Sequence, residues 1–149
     1  MATVRGERSV EIEAPAARCY AIAADIERAP DWQAALVSAR VVERDGAGLP
    51  ALVDTEFDAR VRTIGSRLHF TYTPDSEIGW RQERGDVKAL HGSWRFEDLG
   101  GGRTRATYGL EVDPGRILGL LLRGGTEAKV RDYLLGDAAE GLKRRAEAG

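Results

Sequence analysis

The chain has 149 residues, 31% of them charged, and a formal net charge of −2. This size favours one domain with a core large enough to need neither a structural metal nor disulfides. The nearly balanced charge gives no electrostatic reason to expect nucleic acid or an anionic membrane as partner, and the single cysteine, Cys19, excludes an intramolecular disulfide.

The first third of the chain is predicted to form one strand and two short helices. Residues 8–13 alternate between apolar and polar side chains and end just before Pro15, which suits the first turn of a helix. Good helix formers continue over residues 16–29, and Asp31 is placed to cap a second short helix over residues 32–36.

From Val37 the hydrophobic period changes to two, which indicates a series of strands. The separators are short and rich in Gly, Asp and Pro, so the strands are expected to pair as antiparallel hairpins. After Pro114 a helical period returns, and a long helix over residues 126–146 carries an apolar stripe at i, i+4 spacing. The six strands predicted after the helices cover residues 37–44, 51–62, 66–73, 77–83, 87–96 and 104–112.

The alternation gives the predicted sheet one apolar face and one charged face. Large aromatic residues lie on the apolar face, among them Trp94 and Tyr108 on one hairpin, and the C-terminal helix is the expected cover. A strongly twisted sheet curves, so one helix need not fill the space beneath it. The pattern alone leaves open whether this space is a cavity or a fully packed core.

Short motifs spread along the whole chain carry a family resemblance. They comprise a strand ending in Ala-Pro, a helix with an aromatic residue, Pro-x-Trp, Gly-x-Trp, a glycine-rich turn, and a Thr followed four residues later by an aromatic. Here these are Ala14-Pro15, Tyr20, Pro30-Asp31-Trp32, Gly92, Trp94, Gly100 to Gly102, Thr104 and Tyr108. In this order and spacing the sequence resembles the START/Bet v 1-like (SRPBCC) superfamily, and within it the polyketide cyclase/dehydrase and coenzyme Q-binding-like family.

The resemblance implies an α+β helix-grip fold, in which a curved antiparallel sheet of about seven strands wraps around a long C-terminal helix, with two short helices after strand 1. It also implies an apolar cavity between sheet and helix, and small-molecule sites typically measure about 300–1,000 Å³. Family members bind lipids, quinones, sterols or polyketides, and some catalyse cyclisation or dehydration. The residues expected to line the cavity are Phe57, Ala59, Leu68, Phe70, Tyr72, Trp80, Leu90, Trp94, Tyr108, Leu110, Leu134 and Ala138.

The residue types that most often hold metals or act as nucleophiles are scarce. His69 and His91 alternate onto the charged face, where solvated surface histidines are the better interpretation. Cys19 lies among alanines in the first helix, which favours a buried, inert thiol. We therefore expect neither a metal site nor a cofactor.

Acid–base catalysis has only two candidate residues on the predicted inner face, Tyr72 and Tyr108. The ordinary tyrosine pKa of about 10 lies far from neutrality, which favours binding over catalysis. Asp137 and Arg131 on the long helix could also reach the cavity, so the pattern does not exclude a reaction.

The sequence thus predicts a soluble, cytoplasmic, bacterial protein that binds a hydrophobic small molecule such as a lipid, a quinone or a polyketide-like compound. Its first residues lack an apolar h-region and it has no apolar run of about 20 residues, so we expect neither a secretory signal nor an integral membrane segment. The alternatives are a polyketide aromatase/cyclase or dehydratase and a protein-interaction module. Residues 115–125 combine aliphatic side chains with glycines, and would act as an entrance gate, a homodimer contact or a plain helix.

Overall fold

A computed structural model describes residues 3–148 of the chain. Within this range, seven strands form one antiparallel sheet in the order β1-β7-β6-β5-β4-β3-β2. The strands are β1 (Val4–Ile12), β2 (Leu36–Arg44), β3 (Pro50–Asp58), β4 (Thr63–Thr73), β5 (Glu77–Gly85), β6 (Ala89–Gly100) and β7 (Arg103–Asp113). The helices are α1 (Ala16–Ala24), a 3₁₀ segment (Ile26–Asp31), α2 (Gly115–Leu120) and α3 (Thr126–Glu147).

The helix-grip architecture is confirmed, because the sheet holds the long helix α3 on its apolar face. Val130, Leu134, Ala138 and Leu142 repeat every four residues along α3 and are all buried. This stripe packs mainly against β1 and β7, while α1 packs against α3 and the central strands. No helix of the described residues has the length and apolar composition needed to cross a membrane.

The two faces of the sheet follow the predicted alternation. On the outer face, Arg67 donates two hydrogen bonds to Asp54, at 2.7 and 3.0 Å, and this interaction lowers the pKa of the Asp54 carboxyl. His69 and His91 also point outward, with side-chain nitrogens 3.6 and 3.2 Å from the carboxylates of Glu83 and Glu111. The inner face carries the aromatic residues and contacts the helices.

The segment after β1 differs from the sequence prediction. The first helix ends at Ala24 instead of residue 29, and the second helix is the 3₁₀ segment, so the helix predicted over residues 32–36 is wrong. The backbone there forms turns, in which the Leu36 N–H donates to the Gln33 carbonyl at 3.0 Å, and it also bonds with α3. The Ala35 N–H donates to Asp137 Oδ2 at 2.8 Å, and Pro30 disfavours helical backbone before it.

The turn between β3 and β4 is the second difference, because the strand predicted over residues 51–62 ends at Asp58. Asp58 Oδ1 accepts a hydrogen bond from the Arg60 N–H at 2.8 Å, and Arg60 adopts a left-handed φ of 72°. The turn therefore forms without Gly or Pro, through an aspartate side chain. As a result Val61, which would face inward if the strand continued to residue 62, is exposed.

Gly141 allows α3 to approach the backbone of residue 32 closely. A Cβ atom at this position would lie 2.2 Å from the carbonyl oxygen of Trp32, which is backbone and cannot rotate away. Gly136, on the same helix, has only the flexible end of the Arg8 side chain nearby, at 3.3 Å from such a Cβ. The two glycines thus form a matched pair for substitution.

We expect Gly141→Ala to lower the free energy of unfolding by about 1–3 kcal/mol, because the helix must shift away from residue 32. Gly136→Ala should be neutral or stabilise by up to about 1 kcal/mol, the gain in helix propensity. Urea unfolding followed by circular dichroism measures both. Equal stabilisation by the two substitutions would show that α3 does not depend on this close approach.

Candidate functional site

A continuous line of aromatic rings crosses the inner face of the sheet. Trp94 on β6 and Tyr108 on β7 are direct cross-strand partners, with ring centroids 4.9 Å apart. The line continues from Tyr108 to Trp80 at 5.5 Å and from Trp80 to Phe70 at 5.8 Å. Such spacings suit favourable tilted ring contacts, so the aromatic line forms a continuous wall.

Gly92 determines how Trp80 lies within this wall. The two residues are neighbours on β5 and β6, and a Cβ at Gly92 would lie 2.7 Å from the Trp80 ring. Without a side chain at residue 92, the indole lies across the adjacent strand instead of standing away from the sheet. Space is thereby left between the wall and the helices.

The first cavity, of about 70 Å³, occupies part of that space between the sheet, α2 and α3. Exposed Val61, Arg62 and Leu121 are part of its lining, so it reaches the surface between the β3–β4 turn and the segment that contains α2. Its lining is almost entirely aliphatic and aromatic. It consists of Val4, Phe57, Val61, Arg62, Ile64, Trp80, Val87, Leu90, Tyr108, Leu110, Val112, Pro114, Leu118, Leu121, Leu122, Val130 and Leu134.

The second cavity, of about 30 Å³, lies on the other side of the same wall, since Phe57, Trp80 and Tyr108 line both. It is more polar, because the buried side chains of Gln33 and Thr55 also line it. The Thr55 hydroxyl donates to the Ser66 carbonyl at 2.9 Å. Gln33 and the Tyr108 hydroxyl, whose side chains interact with each other, are further polar groups at this cavity.

The electrostatics keep Tyr108 protonated. Burial raises the pKa of its hydroxyl, Asp137 raises it further, and the side chain of Gln33 acts in the opposite direction. A phenol with a raised pKa is a neutral hydrogen-bond donor at physiological pH. Tyr108 can thus orient a carbonyl or hydroxyl oxygen, but it is poorly suited to act as a base.

Both cavities are smaller than the range of about 300–1,000 Å³ expected from the sequence. The volume prediction is wrong for this structure, because leucines from the α2 region fill the mouth and the aromatic wall divides the interior. A molecule of more than a few atoms requires side chains of the wall or the α2 segment to move. The two cavities as they stand are therefore smaller than a ligand, and the shape of the occupied site will differ from theirs.

The predicted site residues are distributed over the two cavities. Phe57, Trp80, Leu90, Tyr108, Leu110 and Leu134 line the first cavity, and Phe57, Leu68, Phe70, Trp80, Trp94 and Tyr108 line the second. The other three lie outside both linings. Ala59 is in the β3–β4 turn, Ala138 is packed between helix and sheet, and the Tyr72 hydroxyl donates to the Pro50 carbonyl at 2.6 Å.

Sequence reasoning missed Gln33 and the leucines near α2 as lining residues. Gln33 belongs to an irregular segment, where no periodicity assigns a face. Leu118, Leu121 and Leu122 lie in residues 115–125, which were predicted to be an entrance gate, a homodimer contact or a plain helix, but not part of the cavity lining. The sequence feature that could have identified them is the run of aliphatic residues over 117–122.

The other candidate chemical groups are not part of either cavity lining. The carboxylate of Asp137 accepts the Ala35 N–H, and Arg131 pairs with Glu127 at 3.7 Å and Asp132 at 3.3 Å. Cys19 is fully buried, and burial raises the pKa of its thiol, as expected for a structural cysteine. Within residues 3–148, no three His, Cys, Asp or Glu side chains are grouped to hold a metal ion.

Comparison with known proteins adds a family to this geometry. Residues 12–135 match the family model described as polyketide cyclase / dehydrase and lipid transport. The fold is similar to that of a START superfamily protein from Mycobacterium smegmatis, with 19% identity, 97% of each chain covered and a TM-score of 0.84. No curated protein sequence matches the chain significantly.

Two further solved structures are similar over nearly their whole length. A protein from Thermus thermophilus is 26% identical, with 98% of this chain and 97% of that chain covered and a TM-score of 0.81. The Zhui aromatase/cyclase from Streptomyces sp. R1128 is 20% identical, with the same coverage and a TM-score of 0.71. At these identities the likeness to the mycobacterial protein and to the aromatase/cyclase concerns the fold.

Proposed function

Because this chain belongs to the polyketide cyclase/dehydrase and lipid transport family of the START/Bet v 1-like superfamily, we propose that it binds a small apolar molecule between its sheet and α3. The observation that carries the proposal is the pair of cavities on either side of one aromatic wall, apolar on the α2 side and polar at Gln33 and Tyr108. Such a site suits a ligand with a hydrophobic body and one polar end.

The hydrophobic body would occupy the first cavity and displace the leucines at its mouth. Each Å² of apolar surface removed from water contributes about 25 cal/mol, so a flat or chain-like ligand gains affinity mainly through contact area. The α2 segment is suited to move outward. It is flanked by Gly115, Gly124 and Gly125, all with positive φ, and much of its own apolar surface is not buried.

The polar end would accept a hydrogen bond from the Tyr108 hydroxyl and bond with the Gln33 amide. A carbonyl or hydroxyl group on the ligand matches both partners, which favours quinones, polyketide-like compounds and lipids with one oxygen-bearing head. A hydrocarbon offers these two groups no hydrogen bond, so it gains no affinity from the polar end.

The function is tested with delipidated protein and the neutral fluorescent probe N-phenyl-1-naphthylamine. We expect saturable binding, displacement of the probe by quinones or by fatty acids, and an apolar molecule in solvent extracts of the purified protein, identified by mass spectrometry. If the probe does not bind and the extracts contain no apolar compound, the protein is not an apolar-ligand carrier.

The polar end gives a separate prediction. Gln33→Leu should weaken binding of a ligand that carries a carbonyl by up to about tenfold, the value of one neutral hydrogen bond, and leave probe affinity unchanged. Tyr108→Phe should have an effect of similar size. The measurement is displacement of N-phenyl-1-naphthylamine by a quinone and by the matching hydrocarbon. If Gln33→Leu weakens the quinone and the hydrocarbon equally, Gln33 does not recognise the polar end.

A cyclase or dehydratase is the second candidate function, because Tyr108 places one hydrogen-bond donor against the second cavity. A binding protein should show no turnover of a polyketide substrate. If Tyr108→Phe binds such a substrate normally and loses turnover by about 10²–10⁴-fold, the protein is an enzyme that uses this hydroxyl as a general acid.

A further inference from the structure

The mouth of the first cavity is formed by two segments, residues 59–62 and 115–125, here called the rim. Six large hydrophobic side chains are exposed within residues 3–148, and four of them belong to the rim. They are Ile117 (78% exposed), Leu120 (57%), Leu121 (44%) and Val61 (41%). Clustering of exposed aliphatic side chains at one place on a small protein marks an interaction surface.

The rim is also basic. It contains Arg60, Arg62, Arg116 and Arg123 and no Asp or Glu, although the whole chain has a net charge of −2. The net charge is therefore a poor guide to this surface. Lys88 extends the basic region, since a Cβ at Gly115 would lie 3.7 Å from its Cβ.

None of the four rim arginines forms an ion pair with the described part of the chain, whereas arginines such as Arg40, Arg67 and Arg95 on the outer sheet face pair with carboxylates. Arg60 instead lies 4.1 Å from the ring centroid of Tyr133 on α3, which holds the β3–β4 turn beside the helix. The rim thus presents unneutralised positive charge together with exposed aliphatic side chains.

The acidic residues that flank the rim offset its charge only in part. Asp58 accepts the Arg60 N–H at 2.8 Å, and Asp113 accepts the Gly115 N–H at 3.0 Å. Glu127, in the first turn of α3, pairs with Arg131 at 3.7 Å. Backbone N–H groups are neutral, so Asp58 and Asp113 keep their negative charges, but the four rim arginines together with Lys88 outnumber them and the region stays positive.

We propose that the rim docks the protein onto an anionic lipid bilayer. Ile117 and Leu120 would enter the headgroup–acyl boundary while the arginines contact lipid phosphates, the arrangement by which amphipathic surface segments bind membranes. The mouth of the first cavity then faces the bilayer. The exposure and the charge of the rim do not depend on which molecule fills the cavity.

A second copy of the chain fits the rim less well than a bilayer does. In a symmetric dimer the same patch meets itself, so four unpaired arginines of each copy would approach four of the other. Like charges facing each other oppose association, whereas an anionic surface neutralises them. The membrane therefore satisfies both properties of the rim at once.

The test is co-sedimentation of the purified full chain with vesicles of phosphatidylcholine alone or with phosphatidylserine added at about one lipid in three. We expect binding to the anionic vesicles only, weakened by salt because exposed charges are screened. Arg116→Gln combined with Arg123→Gln should weaken binding at least about tenfold, at roughly fivefold per basic residue. Ile117→Ser combined with Leu120→Ser should weaken it as well.

The matched control is Arg81→Gln combined with Arg84→Gln, which removes the same charge from exposed positions on β5. The control should bind like the unmodified protein, and because all these side chains are exposed, unchanged thermal melting should show that every variant is folded. Equal binding to neutral and anionic vesicles, or equal loss in the control, would overturn the proposal. A dimer that the rim substitutions dissociate, without any vesicle binding, would identify the rim as a contact between copies instead.

Discussion

Replacing Trp94 by alanine should lower the free energy of unfolding by about 3–5 kcal/mol, the usual cost of removing a large buried aromatic side chain. Trp94 is 3% exposed and its ring lies 4.9 Å from Tyr108, 5.9 Å from Phe96 and 6.3 Å from Trp32. Trp94 therefore contacts three parts of the structure: β7 through Tyr108, its own strand β6 through Phe96, and the segment before β2 through Trp32. Its loss leaves a void that none of them can fill without shifting.

Chemical denaturation by urea, followed by far-ultraviolet circular dichroism, measures this loss. Trp94→Phe keeps an aromatic ring in the same stack and should lose clearly less stability than Trp94→Ala. The void should also enlarge the second cavity, so the alanine variant should accept larger probes while it remains folded. A cost below about 1 kcal/mol would mean that the site collapses around the smaller residue and that Trp94 is not an anchor.

Filling the first cavity should strongly weaken ligand binding without unfolding the protein. Leu110 lines this cavity on β7, is half-buried, and has Gly92 and Gly6 as its two cross-strand neighbours. Trp80 already covers Gly92, and Leu135 of α3 lies close to Gly6. An indole at residue 110 is therefore directed into the open space, and we expect Leu110→Trp to weaken binding of N-phenyl-1-naphthylamine by at least about tenfold, or about 1.4 kcal/mol.

Leu99→Trp supplies the matched control. Leu99 is a half-buried leucine near the end of β6, outside both cavity linings, so the same substitution there should leave probe affinity unchanged. Fluorescence titration gives the affinity, and urea unfolding gives the cost of the larger side chain, about 1–3 kcal/mol if the site is overfilled. Normal binding by folded Leu110→Trp would place the ligand elsewhere.

The fold was predictable because its signals are local. Residues of β4 to β7 alternate strictly, so side chains such as Leu68, Trp80 and Tyr108 could be assigned to the inner face from residue order alone. The stripe on α3 is equally regular. Apolar residues that recur every two positions in a strand, or every 3.6 positions in a helix, are visible in the sequence itself, and they identify the buried face of each element.

The site was less predictable because it depends on contacts between distant segments. Gln33 is buried only because residues 32–35 pack on α3, and no period in that segment reveals this. The β3–β4 turn was predicted too late in the chain, at residues 63–65, because Ala59 and Val61 continue the alternation beyond Asp58, where the strand ends. The cavity volume depends on how Trp80 and the leucines near α2 fill the interior, and side-chain packing of this kind cannot be read from a periodic pattern.

The position of β1 at the edge of the sheet affects how the protein folds during its synthesis on the ribosome. Every backbone pair that β1 makes is with β7, from Val4 opposite Val112 to Ile12 opposite Thr104. At translation rates of about 5–20 residues per second, β1 waits several seconds for a partner that has not yet been made. During that interval the hairpins from β2 to β6 can assemble one after another, since each needs only its predecessor. The strand translated first is thus the last to join the sheet, and Val4, Val10 and Ile12 remain accessible to chaperones until β7 leaves the tunnel.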